Sequence, residues 1–202
     1  GDGTFGSDDN TDNQADMSAD NKFAKGLWLV GNTNGNWAWS NIRNINYQLN
    51  TVMSSYKAKK IQGSDTNIRQ YIGEIYFFRA YAYFDMLQKW GDLPIVTQSF
   101  PDDDSILVAA NKRRPCNEVA RFIISDLDTA MTYMQEDFEP RHTRVSPEVA
   151  NLFKSRVALY EGSWLTNFAG TPFVPNGPGW PGKNKDYNAD YNYPTGSVEA
   201  EA

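Results

Sequence analysis

Residues Gly73–Val96 read GEIYFFRAYAYFDMLQKWGDLPIV, and this stretch decides the fold. It reads as a long helix, opening at about residue 66, that stops hard. Gly91 is a C-terminal stop signal and Pro94 cannot continue the helix. At about 100° per residue, Glu74, Asp85, Gln88 and Lys89 fall together on one side. Arg79 does not join them. It falls among Ile72, Ile75, Tyr83, Met86 and Trp90, on an aromatic-rich face where a charge is costly unless paired.

The flanks give the same period. Ile42, Ile45, Leu49, Val52, Met53 and Tyr56 trace one helical face, predicting a helix over 38–57. Gly63-Ser64-Asp65 then links it to the signature helix. Residues 91–114 look irregular. Pro115 opens a helix to about residue 137, which Pro140 closes. Ser146-Pro147 is a start signal, a capping residue followed by proline at the first helical position, for a helix to about residue 166. No strand pattern is present. Residues 1–22 are polar and rich in turn formers, and the tail from Gly170 reads as a long loop of Gly, Pro, Asn and Tyr. The expectation is one all-α domain over residues 1–202. Helix pairs at about 38–90 and 115–166 stack in tetratricopeptide-like fashion (an α-α superhelix), with long irregular loops and a loop-rich 167–202. The second helix of each pair carries Arg-x-x-x-Tyr, at Arg79/Tyr83 and Arg156/Tyr160.

Composition narrows the function. The chain has 202 residues, 19 Lys and Arg against 25 Asp and Glu, and a net charge of −6. A nucleic-acid binder carries a basic face, and docking on an anionic membrane surface needs one too, so this balance argues against both. Mean hydropathy is −0.61, yet there are 6 Trp, 11 Tyr and 11 Phe, which fits a folded domain with half-exposed rings. Cys116 is the single cysteine, which excludes an internal disulfide, and it reads as a space filler. The chain opens on Gly1-Asp2-Gly3 without Met, as a trimmed chain does, so the lack of a leader says nothing about export.

Two arginines, Arg79 and Arg156, thus fall on apolar faces. In the helix from Pro115, Asp126 lies within the face of Val119, Phe122, Ile123, Leu127, Ala130 and Met134. The economical arrangement pairs Asp126 with Arg79 or Arg156 across a helix interface. An arginine fork meets a carboxylate in two parallel hydrogen bonds.

These residues also carry a resemblance. Gly73-Glu74, Phe78-Arg79-Ala80, Tyr83-Phe84 and Trp90-Gly91-Asp92-Leu93-Pro94 resemble the signature helix of the SusD/RagB family, with Asp92 in place of a second glycine. Ile42-Arg43-Asn44-Ile45-Asn46 is similar to the family's Ile-x-x-Ala-Asn helix, with Ile45 for Ala. Ile123-Ile124-Ser125-Asp126-Leu127 is similar to its Ile-x-x-Asp-Leu helix, and Ser155–Tyr160 to its Ala-Arg-Val-Ala-Leu-Tyr helix. The match is ordered and spans about residues 37–165. The resemblance implies the N-terminal portion of a longer, non-catalytic cell-surface lipoprotein of the outer membrane. Such proteins bind glycans, sometimes peptides, and deliver them to a SusC-like TonB-dependent transporter. The family's lipidated cysteine is absent here.

A sugar site needs flat aromatic platforms with hydrogen-bonding companions. Trp37 and Trp39, in NGNWAWSN at the mouth of the first clear helix, lie near where the resemblance places sugar-binding aromatics. Asn36 and Asn41 stand beside them. Trp37 points away from the apolar face, while Trp39 lies at its edge and also suits a core plug. Trp180, with Tyr187 and Tyr191, offers rings on the tail loop. Trp90 and Trp164 lie on apolar helix faces and read as core.

Other chemistries lack support. Gly177–Gly182 spells GxGxxG, but no strand precedes it and prolines break any helix after it, which argues against a nucleotide site. His142 is the single histidine, too few for a histidine-rich metal site, and no nucleophile motif accompanies it. Asp8–Asp12 and Asp102–Asp104 lack the glycine and distal glutamate of an EF-hand. No cofactor, metal or catalytic residue is expected. Two rival functions remain, a peptide- or protein-binding helical scaffold and, further off, a helical glycoside hydrolase.

Overall fold

A computed structural model of the chain describes residues 37–136 and 143–202. By internal contacts the chain divides into two units, Gly1–Ala38 and Trp39–Ala202. The second holds every element below.

It is mostly helical. Helix α1 spans Ser40–Lys57 and α2 spans Asp65–Trp90. A short α3 covers Asp104–Ala110, α4 runs Cys116–Tyr133, α5 runs Pro147–Phe168, and α6 is one turn at Val198–Glu201. α1 packs on α2, α2 on α4 and α4 on α5, so the two expected pairs form and stack through α2 and α4.

Local chemistry sets the ends. Ser146 caps α5 by accepting from Val149 N–H at 3.4 Å, with Pro147 in the first turn. Gly91 ends α2 with φ +65°, a left-handed conformation that costs glycine nothing, and its N–H closes on Leu87 O at 2.9 Å. Inside α2, Gly73 permits close approach to the C-terminal end of α4. A Cβ there would meet Met134 Cγ at 2.7 Å and the Ala130 carbonyl at 2.8 Å.

Two expectations are corrected. α4 stops at Tyr133, short of residue 137, because Met134 turns extended and Gln135 N–H donates to Gln70 Oε1 at 2.9 Å. Residues 91–114 are not wholly irregular. Besides α3, capped by Asp103 through Ser105 and Ile106 N–H, strands β1 (Leu93–Pro94) and β2 (Arg113–Arg114) pair antiparallel. A two-residue ladder is too short to leave a period in sequence. The tail packs onto α5. Leu165 of α5 forms a core with Val174 and Tyr193, backed by Trp164, Phe168 and Val198. Glu201 of α6 then straps the tail to α4, accepting from Arg121 at 2.5 and 2.6 Å and from Asn117 at 3.1 Å. The Arg121 hydrogen bonds lead in pulling its carboxyl down to about 2.

Candidate functional site

The aromatic face of α2 surrounds its arginine. Arg79 is 5% exposed and Asp126 4%. Nε and Nη2 of Arg79 each reach a carboxylate oxygen of Asp126 at 2.7 Å, and Nη1 donates to Asn46 Oδ1 at 3.1 Å. The guanidinium lies 5.2 Å from the Tyr76 ring centre and 5.3 Å from that of Phe122. Burial pushes the Asp126 carboxyl up, and Arg79 opposes it. Asn46 in turn donates to Val96 O at 2.8 Å. Tyr83 accepts from Val96 N–H at 2.7 Å and donates to Val96 O at 3.1 Å. One buried chain of polar contacts therefore joins α4, α2 and α1 and pins the segment after Pro94 across them.

Arg156 has no part in this. It is exposed, on the side of α5 where Leu152 and Leu159 are 74% and 75% exposed. Its assignment as a buried charge is corrected. Apolar residues run around α5, so the wheel alone could not tell the buried side, that of Ala150, Val157, Glu161 and Leu165, from the outer one.

Trp39 occupies the N-cap position of α1 and is half-buried. Its ring meets Tyr83 edge-to-face at 6.2 Å, so it is tied to the same network. Asn41 is exposed one residue into the helix. Trp37 is half-buried and belongs to the other unit, and Asn36 lies outside the described residues. Asp8–Asp12, Trp28 (which the sequence reads as core) and His142 likewise lie outside them.

Trp180 is corrected. It is not a ring held out on a loop but 3% exposed, donating its indole N–H to Asp92 Oδ2 at 2.8 Å. Tyr191 is buried with it, its hydroxyl on Asn117 Oδ1 at 2.6 Å. Gly177 and Gly182 serve this packing, since a Cβ would fall 1.8 Å from Thr171 O or 2.1 Å from the Trp180 ring. Asp92, which replaces the second signature glycine, anchors two elements by also accepting from Cys116 N–H at 2.9 Å. The Cys116 thiol is buried, and burial raises its pKa well above the usual value, as befits a filler.

The helix wheel missed several buried polar groups. Glu74, placed with the solvent-facing charges, is buried and holds Arg144 through both its oxygens, with Nε at 2.7 Å from Oε1. Gln70 donates to Glu74 at 2.9 Å and to Val145 O at 2.8 Å. Asn46 was legible as a polar residue four after Ile42 and three before Leu49, on one face with both.

A cleft of about 670 Å³ opens between the end of α2, α5 and the tail. Trp90, Trp164, Phe173 and Trp180 line it, with Lys89, Arg113 and Lys185 among its polar groups. Glu161 lies on its buried side, 7% exposed. Burial, the leading cause, and the nearby Asp92 and Glu201 push its carboxyl up to about 7, partly offset by the adjacent Cys116 thiol.

A family model described as "Starch-binding associating with outer membrane", SusD-like, matches residues 5–159. The chain belongs to the SusD-like family. A SusD-like protein of Formosa agariphila, P38, is 31% identical over 106 residues, which cover 50% of this chain and 19% of that protein. The chain thus spans about a fifth of that relative's length. A crystal structure of a SusD-like protein from Bacteroides fragilis aligns with 74% of this chain and 30% of its own, at 19% identity and a TM-score of 0.48. Among the described residues no helix of this SusD-like chain is long and apolar enough to cross a membrane.

Proposed function

We propose that this SusD-like chain is part of a non-catalytic glycan-binding protein on the surface of the outer membrane. It captures oligo- or polysaccharide and delivers it to a SusC-like TonB-dependent transporter. The observation that carries the reading is the family match over residues 5–159, whose description names starch binding and the outer membrane. In this reading Trp37 and Trp39 are the aromatic platforms, and Asn36 and Asn41 the hydrogen-bonding companions. Trp39 is suited to the role because it is half-buried at a helix start and braced on Tyr83, so its orientation is set before ligand arrives. Hydroxyl-rich rings that stack on indoles gain contact area without a charge.

The test is affinity gel electrophoresis of the protein through starch and a panel of plant, mucin and microbial polysaccharides. One glycan should retard it, and Trp37→Ala and Trp39→Ala should each release the retardation while the helical circular dichroism stays. Retardation unchanged in both variants would remove the site assignment. Release of reducing sugar from the bound glycan would overturn the non-catalytic reading.

A further inference from the structure

Rings that line the cleft by α5 keep surface open to solvent. Trp90, Tyr160, Trp164 and Tyr187 are half-buried, and Phe173 is 63% exposed. Two of them are held firmly. Trp164 stacks on Tyr160 at 6.1 Å between ring centres, leans on Phe168 at 4.3 Å, and donates its indole N–H to Phe173 O at 3.0 Å. Phe173 meets Phe168 edge-to-face at 5.6 Å. With its indole N–H occupied, Trp164 offers a ligand the apolar surface of its ring. The lining does not include Trp39, so this aromatic surface is not the one at the start of α1.

The charged groups beside the rings are largely engaged with one another. Asp92 accepts from Trp180 and Cys116, and Arg113 lies near enough to act on it. The Lys89 ammonium sits on Asp85 at 2.7 Å. Glu161 lies behind the wall, with both oxygens out of solvent's reach. An ionic ligand would therefore compete with pairs already made. What the cleft presents instead is rings, bordered by the exposed amide side chains of Gln88 and Asn111.

A ligand that fits has an apolar face for the rings and uncharged groups that both donate and accept for the amides. A pyranose ring has both, since its C–H faces stack on aromatic rings and its hydroxyls match an amide's donor and acceptor. A volume of about 670 Å³ lies within the roughly 300–1,000 Å³ of small-molecule sites, room for a short oligosaccharide. Rings already fixed by their neighbours lose little freedom when the sugar arrives. We propose that this cleft is a second saccharide subsite, which stacks a neutral oligosaccharide on Trp164 and Phe173 and takes its hydroxyls on Gln88 and Asn111. The assignment extends the glycan reading and rests on it.

Tryptophan fluorescence titration tests this with three neutral probes, maltoheptaose, cellohexaose and mannohexaose, and with hexagalacturonate as the charged control. The background is Trp37→Ala with Trp39→Ala, which removes the other candidate platforms without touching the lining. There a neutral probe should still bind and shift the emission, because Trp90 and Trp164 line the cleft. Adding Phe173→Ala should weaken that binding by about three- to tenfold, and Gln88→Ala should weaken it less. Hexagalacturonate should bind more weakly than the best neutral probe. Where the double variant fails to fold, Phe173→Ala and Gln88→Ala in the unaltered protein decide, and a titration curve unchanged by both overturns the proposal. Neutral-probe binding that is lost with Trp37 and Trp39 and indifferent to Phe173→Ala overturns the cleft and leaves the glycan reading standing. No binding of any neutral probe up to about 10 mM overturns both. Tighter binding of hexagalacturonate overturns the assignment of a neutral ligand.

Discussion

Replacing Arg79 by methionine isolates what the central ion pair contributes. The methionine keeps a flexible apolar stem among Tyr76, Tyr83 and Phe122 but removes the cation. Asp126, 4% exposed, then holds a buried charge whose two strongest hydrogen bonds are gone. Breaking a buried pair from one side costs about 3–5 kcal/mol. That is a large part of the roughly 5–15 kcal/mol that holds a domain together. For a unit of this size it corresponds to a fall in Tm of roughly 6–20 °C. The orphaned acid has a way out, which is to take up a proton. Burial already pushes Asp126 above its usual 3.8, and it is Arg79 that opposes that rise. A carboxyl whose folded pKa exceeds its unfolded one contributes stability below the unfolded pKa and loses it as pH rises through the folded one. The Arg79→Met defect should therefore be smallest in acid and reach its full size above neutrality. Urea unfolding followed by circular dichroism at pH 5 and pH 8 reads this directly. Arg79→Met with Asp126→Leu removes both charges, and the double variant should be more stable at pH 8 than Arg79→Met alone. A loss under about 1 kcal/mol at pH 8, or losses that simply add in the double variant, would refute the reasoning.

Glu161 should leave its own mark on stability. Its carboxyl rises from 4.5 to about 7 on folding, so about 3 kcal/mol of stability is present below pH 4.5 and is lost as pH rises through 7. Glu161→Gln should flatten that slope in thermal melts across pH 5–8. Trp180→Phe keeps an aromatic ring but deprives buried Asp92 of its indole donor, at a cost of about 1–3 kcal/mol, and limited proteolysis should then cut the tail first. Gly73→Ala places a methyl against the Ala130 carbonyl at 2.8 Å, where only main-chain movement relieves it, and should lower the urea midpoint by the equivalent of about 1–3 kcal/mol. Gly63→Ala, with open space around its Cβ but φ +129°, should cost less, through backbone strain alone.

The helices were legible because their causes are local. The 3.6-residue period of α1, the Ser146-Pro147 start and the Gly91 stop act on neighbouring residues, and each appears where the chain text puts it. Asp126 and Arg79 were legible as charges on apolar faces, since a pattern violation is visible without knowing the partner. The partner itself was not. Arg79 and Arg156 occupy equivalent places in similar motifs, and only the packing of α2 against α4 gave Asp126 to one and left the other in solvent. Trp180 shows the same limit. A loop composition of Gly, Pro, Asn and Tyr states that no helix forms, but not that Asp92, 88 residues earlier, will accept its indole N–H. Glu161 was silent for a related reason: its burial comes from α4 and the tail closing over α5, and no periodicity in α5 alone records that. The sequence by itself therefore determined the four long helices, their order and the family. The tertiary structure decided which polar groups are buried, how they pair and where a cleft is left between them, because desolvation and long-range pairing depend on surfaces that come together only once the chain has folded.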